Sequence, residues 1–326
     1  MPKVLHIGPC DSPGGMANVM RTLAEYPPEG WEAELLSSHV VGSLWAKWRA
    51  YRRARATLTR MLRDETQRPD IIHLHTAADW SWRRKSSFLS YAQKQDIPCV
   101  VHIHSGKFDS WLGSPLSKRS RSVQRQVNRK GTRVVVLTED WKTRLEANLG
   151  ELNWIPNPLD PKIKYSDRER DRHHLLIMGR DDPVKGHSFA IRVAKLLKNT
   201  YPQLQLTMTG VEASNHDWIH ARGWVTEEEK LDLLQSASVL LLPSTYEGQP
   251  MVVIEALGSG LPVLAHEHLH SLPSEVYTAE SSAEAWCSQL SKMFETPHKV
   301  DSSSSKHDIR EVQHLWYKTY SSFLQE

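Results

Sequence analysis

Residues 247–263 read Glu247-Gly248-Gln249-Pro250-Met251-Val252-Val253-Ile254-Glu255-Ala256-Leu257-Gly258-Ser259-Gly260-Leu261-Pro262-Val263. They follow an apolar run of strand length, Val239–Leu242, and a Pro-Ser-Thr turn. A strand, a glycine-containing loop and then a helix opening near Val252 present backbone N–H groups and the positive end of a helix dipole, where an anion such as a phosphate binds. Glu247 lies in the loop and Glu255 eight residues on, about two helical turns away, so both carboxylates look toward one ligand. Carboxylates accept hydrogen bonds and suit sugar hydroxyls. Two glutamates alone would read as ordinary surface; the whole string argues otherwise.

The same alternation extends to both sides. Residues 175–178 and 205–209 read as further strands, and 188–197, Glu227–Ser236 and 252–257 as helices. Upstream, residues 4–7, 33–36, 71–75, 99–104 and 134–137 are strand-like, separated by helical stretches such as 17–24 and 44–62. This predicts parallel βαβ units. The segment Ile155-Pro156-Asn157-Pro158-Leu159-Asp160 and the charged run 167–172 read as a linker. The expected domains are 1–160, 161–305 and a terminal helix within 306–326, Ile309–Leu324, preceded by a low-complexity hinge, Ser302–Ser305. Two successive doubly wound α/β domains put ligands at strand carboxyl ends and make the cleft between domains the natural site.

Composition narrows the class. With 326 residues, 39% hydrophobic and 24% charged, and a mean hydropathy of −0.51, the chain is long enough for two buried cores. No run approaches the ~18 apolar residues of a membrane span, and the N-terminus lacks a signal-peptide pattern. Three scattered cysteines imply no disulfide framework, hence a reducing, cytoplasmic setting. The net charge of +3 conceals an asymmetry: residues 1–160 hold 24 Lys/Arg against 16 Asp/Glu, and the remainder is acidic. Seven basic residues and no acid lie between Lys47 and Arg63, beside Trp45, Trp48 and Tyr51, and another seven between 118 and 133. A basic amphipathic helix with tryptophans suits an anionic membrane surface, while Leu44, Trp48, Leu58 and Leu62 on its other face are expected to pack on the first sheet. Nucleic acid is not expected, for no recognition motif accompanies the charge.

A second stretch, Ile177-Met178-Gly179-Arg180-Asp181-Asp182-Pro183-Val184-Lys185-Gly186, sets two cations five residues apart around a Pro turn. Arg180 and Lys185 on one loop can neutralise a pyrophosphate and stabilise its charge as it leaves.

These residues together resemble the family-4 retaining glycosyltransferases, proteins of the GT-B fold with two Rossmann-like doubly wound domains facing a central cleft. That family carries two glutamates with seven residues between them, an Ala-rich helix start and a Gly-Leu-Pro-Val strand. The resemblance implies that Glu247 lies beside the donor sugar and that Glu255 binds the ribose. It also implies that Gly248, Gln249, Pro250 and Met251 line the donor, and that Arg180 and Lys185 clamp its pyrophosphate. The stretch from Gly8-Pro9 to Gly14-Gly15-Met16 resembles the first-strand loop whose paired glycines, here Gly14 and Gly15, approach donor phosphate and acceptor. Gly223-Trp224-Val225 resembles the loop whose main chain reads the base, with Val225 as the contact. Residues 155–160 resemble the inter-domain segment, with Pro158 replacing a glycine, and Ile309–Leu324 the helix that crosses back to the first domain. Ala265-His266-Glu267-His268-Leu269-His270-Ser271 departs from the family's Gly-rich stretch, which puts the contacts there in question.

The histidines take two readings. His73/His75 and His102/His104 each sit on one face of a strand and could ligate a transition metal, but no Cys or carboxylate is patterned with them. No metal is expected, here or at His266, His268 and His270. Val100 to Phe108 resembles the family's strand end where one histidine faces the donor sugar, implying His104 with His102 as the fallback. Arg84 and Lys85, after Trp80 and Trp82, resemble the polysaccharide-assembly branch and imply a place for the diphosphate of a lipid-linked acceptor. A solvated helix face is the competing reading.

The expectation is a metal-independent retaining transferase without cofactor, its catalytic set Glu247, His104, Arg180 and Lys185. The donor would be a UDP-sugar in preference to a GDP-sugar, and the acceptor a lipid-linked or glycan hydroxyl at the cytoplasmic membrane face. A sugar-nucleotide epimerase of the same fold, or a non-catalytic basic membrane- or nucleic-acid-binding protein, are the alternatives. An NAD-dependent oxidoreductase lacks its G-x-G-x-x-G after Ile7.

Overall fold

A computed structural model describes residues 1–296 and 305–325. The chain divides into two compact units, Met1–Pro158 with Lys306–Glu326, and Leu159–Ser305. Residues 302–304 of the serine run lie outside the described residues.

The first unit runs β1 (Lys3–Gly8), α1 (Gly15–Glu25), β2 (Glu32–Ser37), α2 (Leu44–Met61), β3 (Ile71–Thr76), α3 (Trp80–Gln93), β4 (Cys99–Ile103), α4 (Phe108–Leu112), α5 (Lys118–Val127), β5 (Thr132–Val136), α6 (Glu139–Leu149) and β6 (Asn153–Trp154). Its strands pair in parallel in the order β2-β1-β3-β4-β5-β6. Every residue of β3 and β4 is buried, as expected for central parallel strands covered on both faces. The core gathers Leu5, Ile7, Ile72, Leu74, Val101, Val134 and Val136 against Leu58, Phe88, Leu89 and Leu145 from the helices.

The second unit runs β7 (His174–Ile177), α7 (His187–Lys198), β8 (Gln205–Met208), β9 (Ile219–Ala221), α8 (Glu227–Ser236), β10 (Val239–Leu242), α9 (Met251–Gly258), β11 (Val263–His266), β12 (Tyr277–Ala279) and α10 (Ala283–Glu295). All its pairs are parallel, in the order β12-β11-β10-β7-β8-β9. Helix starts are fixed by local chemistry. Ser43 accepts from the Ala46 N–H ahead of α2, and Thr226 and Glu229 form a reciprocal capping box on α8. The last helix, α11 (Ile309–Leu324), belongs to the first unit and buries Val312, Trp316, Tyr320 and Phe323.

In α2 the expected apolar stripe is only half right. Ala54, Leu58 and Met61 are buried, but Leu44 is 85% and Trp48 48% exposed. The apolar residues of the first turns are exposed, and Trp45 and Trp48 stack on each other with ring centroids 4.7 Å apart.

Each sheet reverses direction beside its first strand: between β1 and β3 in the first unit, and between β7 and β10 in the second. At such a switch point the connections leave on opposite faces and open a crevice at the strand carboxyl ends, where open α/β sheets bind ligands.

Candidate functional site

The second unit's switch point carries the two stretches singled out in the sequence. The loop after β7 holds Arg180 and Lys185, and the loop after β10 holds Glu247. Neighbouring strands bring residues 62 apart in sequence into contact: Lys185 Nζ lies 2.7 Å from Glu247 Oε1. Lys185 stands on a short 3-10 turn, Pro183–Lys185, capped by Asp182, whose Oδ1 accepts the Val184 N–H at 3.0 Å. Asp182 also accepts from Arg180 Nε at 3.0 Å. The Val184 amide and then the Arg180 and Lys185 charges hold the Asp182 carboxyl below its usual range. One carboxylate thus shapes the turn and aligns both ends of the cationic loop.

Gly186 must close this turn. Its φ is +74°, and a Cβ there would stand 2.3 Å from the Pro243 carbonyl oxygen of the opposite loop. Glycine alone allows the two loops to approach this closely.

Past Glu247, Gly248 and Gln249 lead to Pro250, the N-cap of α9, and among the described residues no side chain caps that helix. Its first N–H groups, from Met251 on, therefore remain a positive terminus beside the Lys185 loop. The histidine run after β11 reaches this loop too, with His268 Nε2 3.2 Å from the Thr245 carbonyl oxygen.

Glu255 has another partner. It is buried on α9, and its Oε1 lies 3.1 Å from Nζ of Lys230 on α8, which also reaches Glu227 Oε2 at 2.5 Å. Burial pushes the Glu255 carboxyl up and Lys230 pulls it part of the way back. Burial pulls Lys230 down, but Glu255 and Glu227 together outweigh it. Lys230 was missed in the sequence, where Glu227-Glu228-Glu229-Lys230 reads as a solvated charge run. Val225 precedes the cap of α8, on a loop fixed by the Gly210 N–H donating to the Gly223 carbonyl at 2.5 Å and the Gly223 N–H to that of Val211 at 2.9 Å.

In the first unit, Gly14 and Gly15 open α1, with Gly14 at φ +125° and open space where a Cβ would stand. His104 follows β4 and ends a hydrogen-bonded chain: His6 Nδ1 to His75 Nε2 at 2.9 Å, then His75 Nδ1 to His104 Nε2 at 3.0 Å. Beside it, Tyr320 Oη lies 2.7 Å from His73 Nδ1, and His73 Nε2 3.1 Å from His102 Nδ1. The triads His6/His73/His75 and His75/His102/His104 each bring ring nitrogens within 4.8 Å of one another, close enough to ligate a cation. The hydrogen bonds within the chain already engage most of those atoms. Burial holds His6 and His104 down at about 3 and the other three well below their usual value, so the whole cluster is neutral at physiological pH.

Arg84 and Lys85 lie on α3. Lys85 is 1% exposed rather than part of a solvated face, and neither its Nζ nor Arg84 Nε has a hydrogen-bond partner. His39, also missed in the sequence, is held down to about 4 by burial first and then by the charges of Arg84, Lys47 and Lys85.

Two all-parallel α/β units, one of them with Lys185 on Glu247 beside a helix start that no side chain caps, are the architecture of the GT-B class. Comparison with known proteins identifies the family. Residues 161–287 match the model "Glycosyl transferases group 1" and residues 4–157 the model "Glycosyl transferase 4-like domain". The chain belongs to the group 1 glycosyl transferases, in their family-4 class. It is 28% identical over 235 residues to a glycogen synthase of Mycobacterium tuberculosis, covering 65% of this chain and 55% of that protein. It is 23% identical over 227 residues to an Escherichia coli UDP-Gal:alpha-D-GlcNAc-diphosphoundecaprenol alpha-1,3-galactosyltransferase, covering 60% and 57%. The chain thus matches little more than half the length of these relatives. Among solved structures, the sucrose-phosphate synthase of Thermosynechococcus elongatus superposes with a TM-score of 0.69 at 17% identity, covering 100% of this chain and 98% of that one.

Proposed function

We propose that this protein transfers a sugar from a nucleoside-diphosphate sugar to a hydroxyl of a lipid-linked or other glycan acceptor, with retention at the anomeric carbon and without a metal. The observation that carries this reading is the 2.7 Å Lys185–Glu247 pair at the second unit's switch point, with Arg180 on the same loop and the uncapped start of α9 beside it. A leaving diphosphate needs positive groups placed before the reaction, because fixed dipoles and cations cost no reorganisation when charge develops. Arg180, Lys185 and the α9 N–H groups supply them. The diphosphate competes with Glu247 for Lys185, which frees the carboxylate for the sugar hydroxyls. Glu255, kept beside a cation, accepts hydrogen bonds from the ribose, and His104 keeps the sugar-facing role that the family resemblance implies.

The bond from the anomeric carbon to the diphosphate oxygen breaks as that carbon bonds the acceptor oxygen on the same face. The acceptor proton passes to the departing phosphate oxygen, so no side chain serves as general base. A relative named for UDP-Gal and a diphosphoundecaprenol-linked sugar supports UDP over GDP and a lipid-linked acceptor. The exposed, basic, Trp-bearing start of α2 supports work at an anionic membrane surface, and no helix among the described residues is long and apolar enough to cross one.

Calorimetric titration of UDP, GDP and NAD into the wild type and Glu255→Ala tests this. One nucleoside diphosphate should bind, weakened by about 1.5 kcal/mol or more in the variant, as for a charged hydrogen bond. Binding of none, or of NAD alone, overturns the reading. The anomeric configuration of product formed from the donor that binds, read by NMR, decides retention.

A further inference from the structure

We propose that a cavity beside α7 in the second unit, separate from the switch-point crevice, is a further ligand site of this protein and takes a sugar phosphate. The proposal goes beyond the reading above and does not rest on it.

Topology opens the cavity. β8 and β9 pair in parallel, a connection that ordinarily takes a dozen or more residues and a helix. Residues 209–218 make it without a helix. The order β7-β8-β9 runs one way across the sheet, so right-handed crossovers put this connection on the same face as α7. A space of about 490 Å³ remains between them, with His187, Ile191, Arg192 and Lys195 on one wall and Val211 and Asn215 on the other; small-molecule pockets span roughly 300–1,000 Å³. The loop wall is held in place: the Asp181 N–H donates to the Gly210 carbonyl at 3.1 Å, and a Cβ on Gly210 would stand 2.2 Å from the Gly179 carbonyl oxygen. α7 and α10 share the core of this face. α8 and α9, which carry the Lys230–Glu255 pair, pack on the opposite one.

The lining says what fills it. His187 is 7% exposed, yet neither of its ring nitrogens completes a hydrogen bond, a costly state for a buried polar group. Burial, opposed by the Thr209 main chain and then by Asp181, holds its pKa below the usual value. The ring is therefore neutral near pH 7, with one donor and one acceptor. Hydroxyls, which both donate and accept, match both nitrogens. Arg192 and Lys195 stand about 7.5 and 12 Å farther along the axis of α7, at 1.5 Å per residue. Among the described residues no carboxylate pairs with either, and Arg192 is steadied over the Phe189 ring at 5.4 Å. Asp181, the acid on the lining, acts at the His187 end, where it too suits a hydroxyl. Groups that match hydroxyls at one end and unpaired cations at the other fit a polyhydroxyl ring bearing a phosphate, with Ile191 and Val211 against its apolar face.

Glucose 6-phosphate is the probe, with glucose and inorganic phosphate as its two halves. Each is titrated calorimetrically into Arg180→Gln/Lys185→Gln, so that the cations of the loop after β7 cannot answer for the cavity. The sugar phosphate should bind at least tenfold more tightly than either half. Arg192 and Lys195 are exposed, so adding Arg192→Gln/Lys195→Gln should leave the fold intact and reduce glucose 6-phosphate to the affinity of glucose. Adding His187→Leu should weaken glucose 6-phosphate at least tenfold and leave inorganic phosphate unchanged; if that variant fails to fold, the Arg192/Lys195 variant decides. No binding at millimolar glucose 6-phosphate, binding no tighter than that of inorganic phosphate, or equal affinity in a folded variant overturns the proposal. Titration of UDP into the wild type is read separately: its failure overturns the donor reading and leaves the glucose 6-phosphate result standing.

Discussion

Replacing Lys230 by Met isolates what keeps a buried carboxylate ionised. Glu255 has a 6% exposed side chain and Lys230, 3.1 Å away, a 10% exposed one; among the described residues Lys230 is the cation that offsets the burial of Glu255. Without it the carboxyl, already above its ordinary 4.5, climbs further. Protonation caps the cost, because the folded chain can always neutralise the group. That costs about 1.4 kcal/mol for each pH unit between 4.5 and the ambient pH, hence at most about 3.4 kcal/mol at pH 7. Part of this already burdens the wild type, so Lys230→Met should lose roughly 1–3 kcal/mol at pH 7. The sign follows from the raised folded value. The unfolded carboxyl gives up its proton first, so the penalty opens as pH rises through 4.5 and stops growing above the folded-state value. Urea unfolding at pH 5, 6, 7 and 8 should show a deficit that widens with pH, and Lys230→Met/Glu255→Gln, which has no carboxyl to titrate, should lose that dependence. A deficit constant across the range, or a double variant no more stable than Lys230→Met at pH 8, refutes the reasoning.

Other consequences are as direct. Gly186→Ala should destabilise by more than the ~1–2 kcal/mol of a left-handed backbone, because its Cβ meets the Pro243 carbonyl oxygen at 2.3 Å; thermal unfolding checks this, and UDP affinity should fall as Lys185 is displaced. Tyr320→Phe removes the 2.7 Å contact with His73 and should cost about 1–3 kcal/mol by leaving a buried ring nitrogen unpaired, measured by urea unfolding. Trp45→Ala/Trp48→Ala should lower sedimentation with phosphatidylglycerol vesicles. Arg49→Gln/Arg52→Gln/Arg53→Gln should lose about 1 kcal/mol of binding per charge together with most of its salt sensitivity; unchanged sedimentation would remove the membrane from the functional reading.

The parts of the fold legible in the sequence were those with a local cause. Glu227–Ser236 reads as a helix, whose start the structure shows fixed by the Thr226/Glu229 box, and the apolar run Val239–Leu242 reads as a strand, which the structure buries throughout. β6, β9 and β12 were not read, because two or three residues at or near a sheet edge, such as Asn153–Trp154, carry no period of their own. The chemistry-bearing residues divide in the same way. Arg180, Lys185 and Glu247 stand in readable strings, but their meeting depends on β7 lying beside β10, a fact of strand order that no local pattern encodes. Lys230 and His39 lacked even a string: a charge run on a helix and a lone histidine in a loop look the same whether they face solvent or a buried partner.

The histidines show most directly what register adds. Spacing alone put His73 and His75, and His102 and His104, on shared faces. Pairing then sets His6 opposite His73 and His75 opposite His102, so that the diagonal contacts become the hydrogen bonds. A neutral imidazole offers one donor and one acceptor, which suits a ring bonded at both nitrogens, as His75 and His73 are. Burial, which disfavours the charged form, keeps these rings neutral, so each passes one proton along the chain. The tautomer of His104 is thereby tied through His75 to His6, so a residue read as sugar-facing takes its hydrogen-bonding sense from the far side of β3.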